Sequence, residues 1–139
     1  MMQIIKEEIN PMFAISAKRY SGEIIINDFK KQFALAKGYW STKNYKSNWE
    51  IELKNILNPK CSTCCLITWM NNPKYGGNYR GWVLYKRNNN IIITEQIWPS
   101  DNQKPKFRKN ETIIIQNKIP GKCSKWKINI SDINTINAK

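Results

Sequence analysis

The chain has 139 residues, of which 41% are hydrophobic and 12% aromatic. That length suits one domain with a real core, which excludes a fully disordered chain. Twenty-three Lys and Arg face ten Asp and Glu for a net charge of +13, and there is no histidine. A hydrolase with a histidine base is therefore excluded, and most zinc or iron sites lose their commonest ligand.

No apolar run exceeds four residues, as at Met12 to Ile15 and Phe33 to Ala36, whereas a membrane-spanning helix needs about 20. Residues 1–8 carry two acids and no long apolar stretch, unlike a secretory signal. The expectation is one domain over residues 1–139, cytoplasmic and without a membrane partner. Ile, Lys and Asn supply 59 residues. All three are favoured by AT-rich codons, so base composition is one source of the Lys excess.

In chain order, strands are expected over 12–18 and 23–27, separated by Gly22. Phe29, Phe33 and Leu35 keep one apolar parity past Asp28, which suggests an extended continuation through Leu35. Tyr45, Trp49, Leu53, Ile56 and Leu57 then form one stripe of a 3.6-residue period. Ser41 is a natural N-cap for this helix and Pro59 stops it. Glu50 precedes Lys54 by four residues on an outer face, the favourable orientation.

Four strands are expected next, over 61–70, 79–86, 91–98 and 112–117, with hairpin chemistry in Arg87-Asn88-Asn89-Asn90. A polar, basic loop is expected over 99–110. In the last strand, 125–130, Trp126, Ile128 and Ile130 alternate with Lys125, Lys127 and Asn129, as in a half-buried edge strand. The residues after it suit a short helix or a frayed end. The fold class is α+β: a twisted antiparallel sheet with one main amphipathic helix packed on it.

Few residues carry chemistry. Cys61, Cys64 and Cys65 form C-x-x-C-C, with Cys123 far away. A zinc knuckle usually needs a second spaced pair, and adjacent cysteines on a strand point to opposite faces. A thioredoxin-like site needs a helix after its cysteines, whereas Leu66, Ile67 and Trp69 continue a strand. Buried thiols are the expected role. Glu50 and Glu52, two apart, cannot share a helix face. No catalytic residue, metal ligand or cofactor is expected.

The basic surface remains. Between Lys74 and Lys127 there are twelve basic and three acidic side chains. Lys104, Lys106, Arg108 and Lys109 surround Phe107, and Lys118, Lys122, Lys125 and Lys127 surround Trp126. Cations interleaved with rings suit single-stranded nucleic acid, because cations track phosphates and rings stack on bases. They equally suit an acidic protein partner or a solvated face. Lys in place of Arg weakens the phosphate reading, since bidentate contact needs Arg. The aromatics read mostly as core: Trp49 lies on the helix stripe, and Trp69 shares parity with Cys65 and Ile67.

Several stretches together resemble one group of immunity proteins from contact-dependent growth inhibition systems. They are E-I-I-I-N-D-F from Glu23 to Phe29, Gly38-Tyr39-Trp40, and Tyr45-Lys46-Ser47-Asn48-Trp49 with Leu53. Trp82-Val83-Leu84-Tyr85, Ser124-Lys125-Trp126 and Ile130-Ser131-Asp132-Ile133 continue the pattern, over roughly residues 21–136. The resemblance implies a cytosolic binding protein without catalysis that blocks the C-terminal toxin domain of a delivered exoprotein, usually a nuclease. It also implies a curved antiparallel sheet, Whirly-like in some members, a form used elsewhere for single-stranded DNA.

The chain departs from the pattern in charge, since inhibitors of basic nucleases are commonly acidic. A +13 protein cannot mimic phosphates, so the expected toxin is acidic or carries an acidic patch. The expected toxin contacts are Lys104, Lys106, Phe107, Arg108, Lys109, Lys122, Lys125 and Trp126. The alternative is a small basic single-stranded nucleic-acid-binding protein.

Overall fold

The computed structural model describes residues 12–75, 77–99, 106–107 and 113–133. The described residues begin with a meander of β1 (Phe13–Lys18), β2 (Ser21–Ile26) and β3 (Phe29–Ala34). Lys18 pairs with Ser21 and Ile26 with Phe29, so both connections are two-residue turns. Arg19, Tyr20 and Asn27 have positive φ, the geometry that lets a tight hairpin follow the strand twist. Residues 29–35 therefore do not extend the second strand, as their parity suggested. The chain reverses at Asn27-Asp28, and the apolar positions switch from even (Ile24, Ile26) to odd (Phe29, Phe33). Gly22 pairs with Phe33, and a Cβ there would lie 2.2 Å from the Phe33 ring, so only glycine fits.

Helix α1 (Thr42–Ile56) starts at Ser41. The Ser41 Oγ accepts from the Asn44 N–H at 3.2 Å, and the Ser41 N–H donates to Asn44 Oδ1 at 2.9 Å, a reciprocal cap. At the other end, Lys86 Nζ donates to the carbonyls of Ile56 (2.8 Å) and Asn58 (2.7 Å), a cation at the negative helix terminus. Glu50 and Lys54 pair at 3.4 Å, as their spacing requires.

A second sheet has the order β4 (Thr63–Trp69), β5 (Tyr79–Arg87), β6 (Asn90–Trp98), β9 (Lys125–Asn129). All its pairs are antiparallel. Between β5 and β6 the turn is Asn88-Asn89, with Asn88 at φ 57°. Of the expected 99–110 loop, Lys106–Phe107 form β7, which pairs with β8 (Ile113–Ile114), while residues 100–105 and 108–110 lie outside the described residues. Of the expected 112–117 strand, the described residues 113–117 keep only those two isoleucines as strand. A single 3₁₀ turn, Ile130–Asp132, follows β9. The α+β class read from the sequence is observed, with the strands divided among these sheets.

The meander covers one face of the four-stranded sheet. Phe33 packs against Trp49 and Trp82 (both 6.2 Å between ring centres), and Phe29 against Trp126 at 4.6 Å. On the other face Phe107 meets Tyr79 at 5.0 Å, and Ile113 is buried. Covered on both sides, β5 buries Trp82, Val83, Leu84 and Tyr85 in succession.

The helix lies against the open edge of β4 and supplies what a neighbouring strand would. Asn48 Oδ1 accepts from the Ile67 N–H (2.9 Å), and Trp49 Nε1 donates to the Ile67 carbonyl (2.7 Å). Glu52 Oε1 accepts from the Cys65 N–H (3.3 Å). Tyr45 OH accepts from the Met70 N–H (3.1 Å) and donates to the Ala36 carbonyl (2.8 Å). Asn48 and Glu52 are buried because an uncovered edge would otherwise strand its N–H groups away from water.

Candidate functional site

The four cysteines are free thiols. Cys64 pairs with Leu84 and Cys65 with Val83, so the two thiols project from opposite faces of β4. Burial pushes both thiols well above their ordinary pKa, with the Glu52 carboxylate adding to the rise, so neither is poised as a nucleophile. Cys61 lies on a cavity of about 300 Å³ shared with Glu52, Asn55 and Lys60, and its Sγ donates to the Thr63 carbonyl at 3.1 Å. Among the described residues no three His, Cys, Asp or Glu side chains are grouped to hold a metal ion. No helix among them is long and apolar enough to cross a membrane.

The basic positions singled out in the sequence divide three ways. Lys104, Arg108 and Lys109 lie outside the described residues. Lys106, Lys122 and Lys125 are exposed. Lys125 stands opposite Thr94, on the sheet face where Phe107 covers Tyr79, and its Nζ donates to the carbonyls of Gly121 and Cys123, both at 3.3 Å. Trp126 points to the opposite face, where its half-buried ring packs against Phe29 and Trp82 (5.8 Å). Phe107 is half-buried too. The Lys side chains thus face solvent while both rings help close the core.

A second exposed region was not anticipated. The pairing of β4 with β5 shifts between Ile67 and Trp69, a β-bulge at Thr68. The shift sets Trp69 opposite Arg80, which in turn stands opposite Ile97 on β6. Trp69 therefore leaves the face it would share with Cys65 and Ile67 by simple alternation. It is half-buried, where sequence parity placed it in the core. Ile97 is 55% exposed, and Tyr75, in the β4–β5 connection, is 85% exposed. Beside this row, Lys31 Nζ reaches Glu95 at 2.7 Å and lies 5.8 Å from the Trp82 ring centre.

Residues 35–136 match the model of a protein family, the CdiI N-terminal domain. The chain belongs to that family. A curated relative from Enterobacter cloacae, "Immunity protein CdiI", is 30% identical over 79 residues. The match covers 52% of this chain and 54% of the relative, so the chain spans about half the relative's length. A solved chain from the "CdiA-CT/CdiI toxin and immunity complex from Enterobacter cloacae" superposes with a TM-score of 0.61. That superposition covers 87% of this chain and 91% of the other at 16% identity, which establishes a shared fold. The expected membership among contact-dependent growth inhibition immunity proteins is met. The motifs from Gly38 onward lie within the matched residues, and Glu23 to Phe29 lies before them.

Proposed function

We propose that this CdiI-family chain binds the C-terminal toxin domain of its partner exoprotein and neutralises it by steric blockade. The observation that carries the reading is the family match over residues 35–136. The immunity-protein name of the Enterobacter relative supports it, as does the shared fold with a chain from a toxin and immunity complex. The absence of histidine and the high-lying Cys64 and Cys65 thiols fit an inhibitor that acts by contact alone. The toxin is a nuclease, and the site of protection is the cytosol of the producing cell.

With a net charge of +13, the inhibitor covers an acidic patch beside the toxin's cleft instead of mimicking its nucleic-acid substrate. Lys106, Lys122 and Lys125, exposed on the surface, steer the encounter, so association slows as salt rises. The experiment is co-expression in a sensitive host with the toxin domain encoded beside this gene. Rescue of growth is expected. Death at the rate of unprotected cells, with the immunity protein present in soluble form, refutes the reading.

A further inference from the structure

We infer that the cross-strand row Trp69–Arg80–Ile97 anchors the toxin, and that it takes a carboxylate-bearing loop flanked by apolar side chains. This rests on the function proposed above and deepens it. The three residues are consecutive partners across β4, β5 and β6, so their side chains stand side by side on one sheet face. The next row along that face holds Trp82 and Glu95 and is covered by β3, through Phe33 over Trp82 and Lys31 on Glu95. Cover gives way at Ile97, which is 55% exposed. The row borders a cleft of about 150 Å³ lined also by Asn78 and Tyr79, room for one side chain of the partner.

The chemistry of the row selects the partner. Arg80 forms no ion pair among the described residues, and Glu95, one row along on the same face, is engaged by Lys31. A guanidinium with no ion pair among the described residues, set between an indole and an exposed isoleucine, offers one strong charged contact within an apolar rim. Trp and Arg are the side chains that most often dominate binding energy at such places. On a chain of net charge +13 the complement is an acidic surface. The bulge at Thr68 is what brings Trp69 to this row; without it the indole would face the other way. The exposed lysines then govern the rate of encounter, and this row governs how long the complex lasts.

The test measures binding of the toxin domain encoded beside this gene to wild type, Arg80→Glu, Ile97→Glu and Lys125→Glu at ~150 mM salt. Thermal melts confirm that each variant is folded. Arg80→Glu and Ile97→Glu are each expected to raise Kd about tenfold or more, mainly through faster dissociation. Lys125→Glu should slow association and leave dissociation nearly unchanged. If wild type binds and both row variants bind within about twofold of it, the row is not the anchor while the proposed function stands. If wild type itself fails to bind, the function falls and this inference with it. Self-association of wild type that Arg80→Glu abolishes, with toxin affinity intact, would assign the row to a second copy and overturn the inference.

Discussion

Asn48 is the most exacting test of how the helix seals the sheet. Its Oδ1 accepts from the buried Ile67 N–H at 2.9 Å, while its own Nδ2 is buried without a partner. Asn48→Leu keeps the branched shape and heavy-atom count and raises the helix propensity by a few tenths of a kcal/mol, but leaves the Ile67 N–H without an acceptor. An orphaned buried donor costs about 1–3 kcal/mol. Removing the unpaired amide nitrogen offsets part of that, so the net loss should be about 1–2 kcal/mol. For a chain of this size that is a fall in Tm of about 3–7 °C. Urea unfolding followed by Trp fluorescence reads the loss, and amide exchange at Ile67 reads its location. Stability equal to or above wild type, with Ile67 exchange unchanged, would refute the edge-sealing role.

Other outcomes follow from the same geometry. Gly22→Ala drives a Cβ into the Phe33 ring, which Trp49 and Trp82 hold in place, and should cost about 1–3 kcal/mol; adding Phe33→Leu should recover part of it in the same urea titration. Burial holds the Cys64 and Cys65 thiols protonated in the folded state, whereas in the unfolded chain they ionise near pH ~8.5. Stability should therefore be level below that pH and fall above it by about 1.4 kcal/mol per pH unit for each thiol, and Cys65→Ala should halve the slope. Tyr45, pushed up to about 12 by burial, extends the decline above pH ~10. Lys86→Met removes the cation from the two carbonyls at the end of α1 and should cost about 1 kcal/mol, seen as earlier helix melting by circular dichroism.

How far the sequence could be read depends on what each signal measures. The stripe Tyr45, Trp49, Leu53 and Ile56 placed the helix because helical spacing is local. Asn48 and Glu52 lie in the same buried stripe, yet as polar residues they gave no such signal, since their role is set by an edge far along the chain. The reversal at Asn27-Asp28 was encoded in the switch from even to odd apolar positions. It was masked because Phe29, Phe33 and Leu35 keep one parity among themselves. Arg19-Tyr20 turns at positive φ without any Gly or Asn to announce it. Asn88-Asn89 did announce its hairpin.

The candidate surface was only partly legible for the same reason. Alternation along β9 correctly set Lys125 and Lys127 outward. Trp126 lies inward of them, and its packing on Phe29 depends on the meander folding back over the sheet. Trp69 was assigned to the core by alternation, and one bulge at Thr68 moved it to the row with Arg80 and Ile97. A bulge inserts one residue into the count with no compositional mark here, so that row emerges only in three dimensions.

The neutralisation proposed above is stoichiometric and calls for no chemistry by the inhibitor. Its decisive test titrates purified protein into an activity assay of the toxin domain. Activity should fall in proportion to added inhibitor, reach its floor at one inhibitor per toxin, and return when the complex is dissociated. Complete loss of activity at a small fraction of an equivalent, or a toxin that stays modified after the inhibitor is removed, would contradict it.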